Sequence, residues 1–352
     1  MVGIQLVHQG LMTHARLLVR EASSRAAGPL RDRTAVHHWR AWHWVWATLP
    51  LSVACAPNSE LVAPQQGNGG GDVSTGSSTS VGTGGNPTSG GGGAPASGGA
   101  SAMAWGAPQP IDELNSAFLD THSSMSDDKL IICFASDRPG GVGLLDIWCA
   151  KRTAADAPFD APMNQTAINT PEWDSYPVLT ADGGTLYYTA RPQGDPDNIY
   201  RASWNGTAFV NPVAVTPLNS NSADRAAAAL DTDVYFHSDR AGSDDIYSGT
   251  RVGDGPWQNI APVAILNTEY GDGEPRRRGN RLVFCSTRPG AGTLYGSTLI
   301  LSQGTWLAPE LLDIEGVNDG CGPSILTDGS LLFHSERPGG KGGDDLYIAE
   351  PR

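Results

Sequence analysis

The strongest constraint on this sequence is a pattern that occurs five times. IICFASDRPGG starts at residue 131, LYYTARPQG at 186, YFHSDRAG at 235, VFCSTRPG at 283 and LLFHSERPGG at 331. Each is an apolar run closed by Ser or Thr, one variable residue, an Arg and a Pro/Gly turn. The five arginines, Arg138, Arg191, Arg240, Arg288 and Arg337, follow one another at intervals of 53, 49, 48 and 49 residues. After each turn come a polar residue, an aliphatic and an aromatic, as in Asp146-Ile147-Trp148, Asp245-Ile246-Tyr247 and Asp345-Leu346-Tyr347. Two short apolar runs joined by a Gly-rich turn read as a β-hairpin. A further run ending in a tight turn such as Asp182-Gly183-Gly184 precedes each hairpin, and another segment, clearest at 204–220 and 257–267, follows it. Four short strands in about 49 residues, repeated, match a blade of a β-propeller. Helical solenoids are excluded, because Gly, Pro and period-two runs stand where helices would be needed.

Closure follows from the ends of the array. The last unit stops after its third strand, while residues 105–114 (WGAPQPIDEL), ahead of the first hairpin, look like a fourth strand. The N-terminal strand is therefore expected to complete the last blade and leave no free edge. Residues 105–352 suffice for five blades, whereas six at this period would take about 295 residues. The expected fold is all-β, a five-bladed propeller over 105–352.

The preceding residues have a different character. Residues 41–54 (AWHWVWATLPLSVA) follow Arg31, Arg33 and Arg40 and end at Cys55. A basic flank, a short apolar stretch and small residues before a Cys have the parts of an export signal. They resemble a bacterial lipoprotein signal, with Cys55 as the lipidated residue. Residues 1–55 are thus expected to be an N-terminal extension and signal. Residues 56–104, rich in Gly, Ser and Thr, are expected to be a disordered tether with a reach of about 40 Å. No stretch reaches the roughly 18 apolar residues of a membrane-spanning helix, so membrane contact is expected only through the lipid anchor.

Charge narrows the partners. The chain carries 23 basic and 37 acidic residues, and the acidic excess lies in 105–352. Such a surface repels phosphate backbones, which argues against nucleic acid. A basic peptide, a cation or a neutral glycan suits it better.

The string Ser-Asp-Arg-Pro-Gly-Gly at 136–141, with Asp-Ile-Tyr after it in blade 3 and Asp-Gly before it at 328–329, resembles the WD40-like β-propeller repeat of the TolB type. The resemblance covers nearly all of 105–352. It implies export; with the lipoprotein-type signal at Cys55 the expected location is the cell envelope, at the outer membrane or in the periplasm, with secretion as the second choice. It also implies a monomeric protein that binds an envelope protein or peptide without catalysis or a resident cofactor.

Several residues carry expectations of their own. Arg138–Asp146, Arg240–Asp245 and Arg337–Asp345 face across their hairpins as structural ion pairs. Phe134, Tyr187, Phe236, Phe284 and Phe333 are expected in the core. His237 and His334 occupy equivalent places in different blades, which radiate apart, so they are expected to pack as buried histidines without meeting on a metal. Cys133 and Cys149 lie on facing strands, and Cys285 and Cys321 in neighbouring blades; each pair suits either a disulfide or two buried thiols. Each unit also places an Asp before its first strand: Asp120, Asp174, Asp224, Asp272 and Asp319. These five could ring the channel mouth and hold a basic side chain or calcium; alternatively each caps a local turn. A glycan-active enzyme or lectin using carboxylates at that mouth, with Asp120, Asp174 and Glu274 as nominal candidates, is the alternative function. No Ser/His/Asp order, phosphate-binding loop or HExxH motif appears.

Overall fold

The computed structural model describes residues 104–290, 292–316 and 318–352. The expected extension, the tether and Cys55 lie outside the described residues. The described chain forms five antiparallel blades around a central axis. The innermost strands are Asp120–Met125, Asp174–Leu179, Asp224–Ala229, Asp272–Arg278 and Cys321–Ile325, and each touches the innermost strands beside it around a closed ring. The second strands, Ile131–Ser136, Thr185–Ala190, Asp233–Ser238, Arg281–Ser286 and Leu331–Ser335, are the apolar runs of the repeat. The third strands start at Asp146, Asn198, Asp245, Leu294 and Asp345.

The fourth strand of the last blade comes from the other end of the domain. Gln109–Pro110 pairs antiparallel with Asp345–Ala349, with Gln109 opposite Ile348 and Pro110 opposite Tyr347. A second clasp lies beside it. Ala104–Trp105 runs parallel to Asp313–Ile314 at the edge of blade 4, and the buried Trp105 indole donates to Gly329 O at 2.8 Å.

Apolar runs in the second strands are uninterrupted because both blade faces are covered. Ile132, Cys133, Phe134 and Ala135 are all fully buried, although neighbours in a strand point to opposite faces. Five apolar clusters result, one in each gap between blades. Turn glycines allow the close approach. A Cβ on Gly342 would lie 2.2 Å from Phe118 O of the next blade, and one on Gly143 would lie 2.3 Å from Thr170 O.

One backbone irregularity recurs in every blade. The pairing of innermost and second strands shifts between Thr121 and Ser124, Ser175 and Val178, Arg225 and Ala228, Gly273 and Arg276, and Cys321 and Ser324. Each shift is a β-bulge, and the first residue inside it is left-handed: His122, Tyr176, Ala226, Glu274 and Gly322 have φ between 51° and 63°. A left-handed residue other than Gly costs roughly 1–2 kcal/mol, so this geometry is held by the blades around it. In three blades its amide leaves the ladder and finds a partner on the preceding blade. His122 N–H donates to His334 Nδ1 at 3.2 Å, Ala226 N–H to Thr189 Oγ1 at 3.2 Å and Glu274 N–H to His237 Nδ1 at 3.1 Å.

Candidate functional site

The ion pairs drawn across the hairpins do not form. Arg138, Arg240, Arg288 and Arg337 instead fold back on Asp120, Asp224, Asp272 and Asp319. The reason lies in the register: Ser136 is already opposite Asp146, so Arg138 stands beyond the end of the ladder. Arg138 Nε donates to Ser136 Oγ at 3.0 Å and its Nη2 to Leu114 O at 2.6 Å, and Arg240 and Arg288 repeat both bonds. This latch explains the Ser-x-Arg motif. The acids after the turn have other partners: Asp146 accepts the amides of Val142 and Gly143, and Asp345 those of Lys341 and Gly342.

The expected acidic ring is therefore not an open cation site. Asp120, Asp174, Asp224 and Asp272 are fully buried, and each caps a turn by accepting the amide four residues upstream. Asp319 stands one register earlier than the others. Gly320 occupies the place of Asp120, since a Cβ there would lie 2.4 Å from His334 O. Blade 2 departs from the rest. Ala190 stands where Ser136 does in blade 1, so Arg191 falls one residue short of the latch. It pairs with Asp197 instead, at 2.5 Å from Nε to Oδ1, and Asp174 Oδ1 is left buried without a hydrogen-bond partner. Burial raises Asp174 to about 7 despite the two hydrogen bonds from Thr170.

Both cysteine pairs are bridged: Cys133–Cys149 within blade 1, with Cα atoms 4.1 Å apart, and Cys285–Cys321 between blades 4 and 5, at 5.2 Å. The second bridge occupies the position that His237 and His334 fill in blades 3 and 5.

The bulges point a different set of side chains at the channel. His122 packs at a tilt on Tyr176 with ring centroids 3.9 Å apart and meets His334 edge-on at 4.8 Å; Tyr176 in turn meets His237 at 5.4 Å. His237 and His334 are both buried and do not meet in one cluster, but His334 has His122 and Glu274, from other blades, beside it. At this register the second strand faces the next blade's bulge, not the outside. His122 Nε2 lies 3.6 Å from Glu274 Oε1. One ligand atom each of His122, Glu274 and His334 lies within 4.8 Å of the others. Both Glu274 oxygens, His122 Nδ1, and Nε and Nη2 of the neighbouring Arg276 are buried with no hydrogen-bond partner. Burial makes His237 and His334 resist protonation down to about 3, so both rings are neutral. Burial pushes the Glu274 carboxyl up, and His122 pulls it back below the ordinary carboxylate range.

Above this cluster the channel widens into a cavity of about 250 Å³, lined by Leu119, Trp173, Tyr176, Arg191, Asp197, Glu336 and Asp344 among others. Asp197 sits between Arg191 and the buried Arg225; burial pushes its carboxyl up, but the two guanidiniums outweigh this and hold it down. Arg225 also reaches Asp244 at 3.0 Å, whose carboxyl burial raises to about 6. Asp344 has no such counter-ion. Its Oδ1 is buried without a partner and burial raises it to about 6, while the Trp173 side chain beside the cavity stays 42% exposed.

Sequence reasoning missed His122, Tyr176, Arg225, Arg276, Trp173 and Asp344. A signal for three of the channel residues was present. Aligned on the Asp before the first strand, the position two residues on reads His122, Tyr176, Ala226 and Glu274 in blades 1–4, a column where otherwise similar blades differ in chemistry. Of the nominal catalytic carboxylates, Asp120 and Asp174 are walled off from the cavity, and Glu274 lies within the channel cluster.

No family model matches the sequence, and no curated protein does. Solved structures similar to it include TolB from Acinetobacter baumannii, 17% identical over 68% of this chain and 57% of that one, with a TM-score of 0.42. The chain thus spans little more than half of that protein. A putative TolB from Agrobacterium tumefaciens is 14% identical over 67% of this chain and 77% of its own, at 0.43. An α-L-arabinofuranosidase from Lactobacillus brevis is 12% identical over 69% and 94%, at 0.45.

Proposed function

We propose that this propeller is a binding protein of the cell envelope whose channel mouth receives a cationic side chain from a protein or peptide partner. The observation that carries this reading is Asp344. A buried carboxylate oxygen without a partner is costly, and this one borders a cavity with Glu336 beside it and an exposed indole at the rim. An ammonium or guanidinium entering there gains a carboxylate and an aromatic face together. Asp197 contributes less to this recognition, because Arg191 and Arg225 already neutralise it.

The test uses fluorescent peptides bearing Lys, Arg or the isosteric, uncharged norleucine, titrated into the full chain. Lys or Arg peptides should bind at least about tenfold tighter than the norleucine peptide, and Asp344→Asn should abolish the difference. Equal affinities for all three, or an Asp344→Asn variant that still discriminates, would sink the proposal. Turnover of aryl glycosides by the purified protein would favour the glycan-active alternative.

A further inference from the structure

We infer that His122, Glu274 and His334 form a binding site for one divalent transition-metal ion of the zinc class at the centre of the channel. The inference is independent of what the mouth above receives. Three strands from three blades supply the ligands, and the recurring bulge brings them together. Two imidazoles and one carboxylate are a donor set that zinc accepts, with a fourth position left open. In a tetrahedral site with bonds of about 2.0–2.2 Å, ligand atoms lie about 3.4 Å apart. The His122–Glu274 pair is already at 3.6 Å, and all three ligand atoms lie within 4.8 Å of one another. Small side-chain rotations suffice to close the remainder.

Two independent observations point to a missing ligand at this place. Glu274 is 1% exposed, yet neither of its oxygens has a hydrogen-bond partner. Buried polar atoms left without partners call for an explanation, and a bound ion is one. Space is also reserved: Gly322 is the one glycine in the left-handed column, and a Cβ there would lie 2.9 Å from His334 Nδ1 and 3.2 Å from Glu274 Oε2. The bond from His122 N–H to His334 Nδ1 puts the ring proton of neutral His334 on Nε2, the tautomer that coordination through Nδ1 requires. An ion bound there takes over the lone pair that now receives this long 3.2 Å bond. His237 acts from behind, fixing the Glu274 backbone through Nδ1. The fixed cations nearby are Arg276, which lies within electrostatic reach of Glu274, and Arg225. Both oppose any bound cation, and the preference for a transition metal over a hard cation rests on the donor set, two of whose three donors are neutral nitrogens. His122 and His334 also line the mouth cavity, so the open position of the ion would face it.

The experiment titrates the full chain with Zn²⁺ against a chromophoric chelator. Five of the eight histidines precede residue 50 and offer zinc donors of their own, so the readout is the difference between wild type and variants. Wild type should hold one more tightly bound ion per chain than Glu274→Gln or His334→Asn, in which that site weakens at least about 100-fold. Co²⁺ should give the intense visible bands of a tetrahedral site in wild type and lose them in both variants, and Ca²⁺ should not compete. Circular dichroism and melting check that the variants fold. Equal zinc stoichiometry and affinity in folded wild type and Glu274→Gln would overturn the inference, as would displacement of the ion by Ca²⁺.

Discussion

Asp174 offers a test of the latch that a purely packing-based account of this propeller would fail. In three blades the corresponding carboxylate meets an arginine, but in blade 2 Arg191 is one residue out of place and Asp174 keeps its burial without the counter-charge. The native protein therefore holds a proton on this group up to about pH 7, whereas an unfolded chain releases it near 3.8. Between those values the folded state binds more protons than the unfolded state. The contribution of Asp174 to stability is thus most favourable below pH 4, falls as pH rises, and is flat above about pH 7. At about 1.36 kcal/mol per pH unit, the loss across that window is about 4 kcal/mol. Asn in its place can keep the hydrogen bonds from Thr170 and has no proton to release. Relative to wild type, Asp174→Asn should gain about 4 kcal/mol between pH 4 and pH 8. Asp224→Asn, which strands Arg240, should cost about 3–5 kcal/mol at pH 8. Urea unfolding of both variants at the two pH values reads these numbers directly. If Asp174→Asn loses the same stability at pH 4 and at pH 8, the latch argument for blade 2 is wrong.

Other consequences are simpler to measure. Trp105→Ala removes a fully buried indole and its bond to Gly329, and should cost about 3–5 kcal/mol in denaturant unfolding. Gly342→Ala forces a Cβ against a backbone oxygen that cannot retreat without moving the next blade, and a loss of about 1–3 kcal/mol is expected, visible as a lower melting temperature. Replacing Cys285 and Cys321 with Ala opens a 36-residue link and should destabilise by about 4 kcal/mol, against about 3 for the 16-residue link between Cys133 and Cys149.

Much of the architecture was legible because the repeat states it five times. Strand order, blade count and the return of residues 109–110 to the last blade all follow from the spacing of the Ser-x-Arg motif and from where the array stops. The latch was misread for a reason local to the hairpin. Arg138 and Asp146 look opposite in sequence, yet the ladder ends at Ser136, and only the register shows which carboxylate the arginine can reach. Arg191 misled in another way, since it satisfies the written motif while sitting one residue off its structural place. The channel residues were hardest to see. Handedness at His122, Tyr176, Ala226 and Glu274 is imposed by the surrounding blades and not by residue type, and none of these is the glycine that usually marks such a backbone.

The bulge column separates two duties that most binding sites combine. Its amides knit neighbouring blades together, as His122, Ala226 and Glu274 do, while its side chains meet one another in the channel. One set of atoms assembles the wheel, and another decides what the hub displays. Four of its positions, all but Gly322, therefore differ in identity, from methyl to imidazole to carboxylate, on one shared backbone geometry. Duplicated blades that diverge at this column alone would yield propellers of the same frame and unrelated appetites, which is why overall likeness between such molecules says so little about what each one holds.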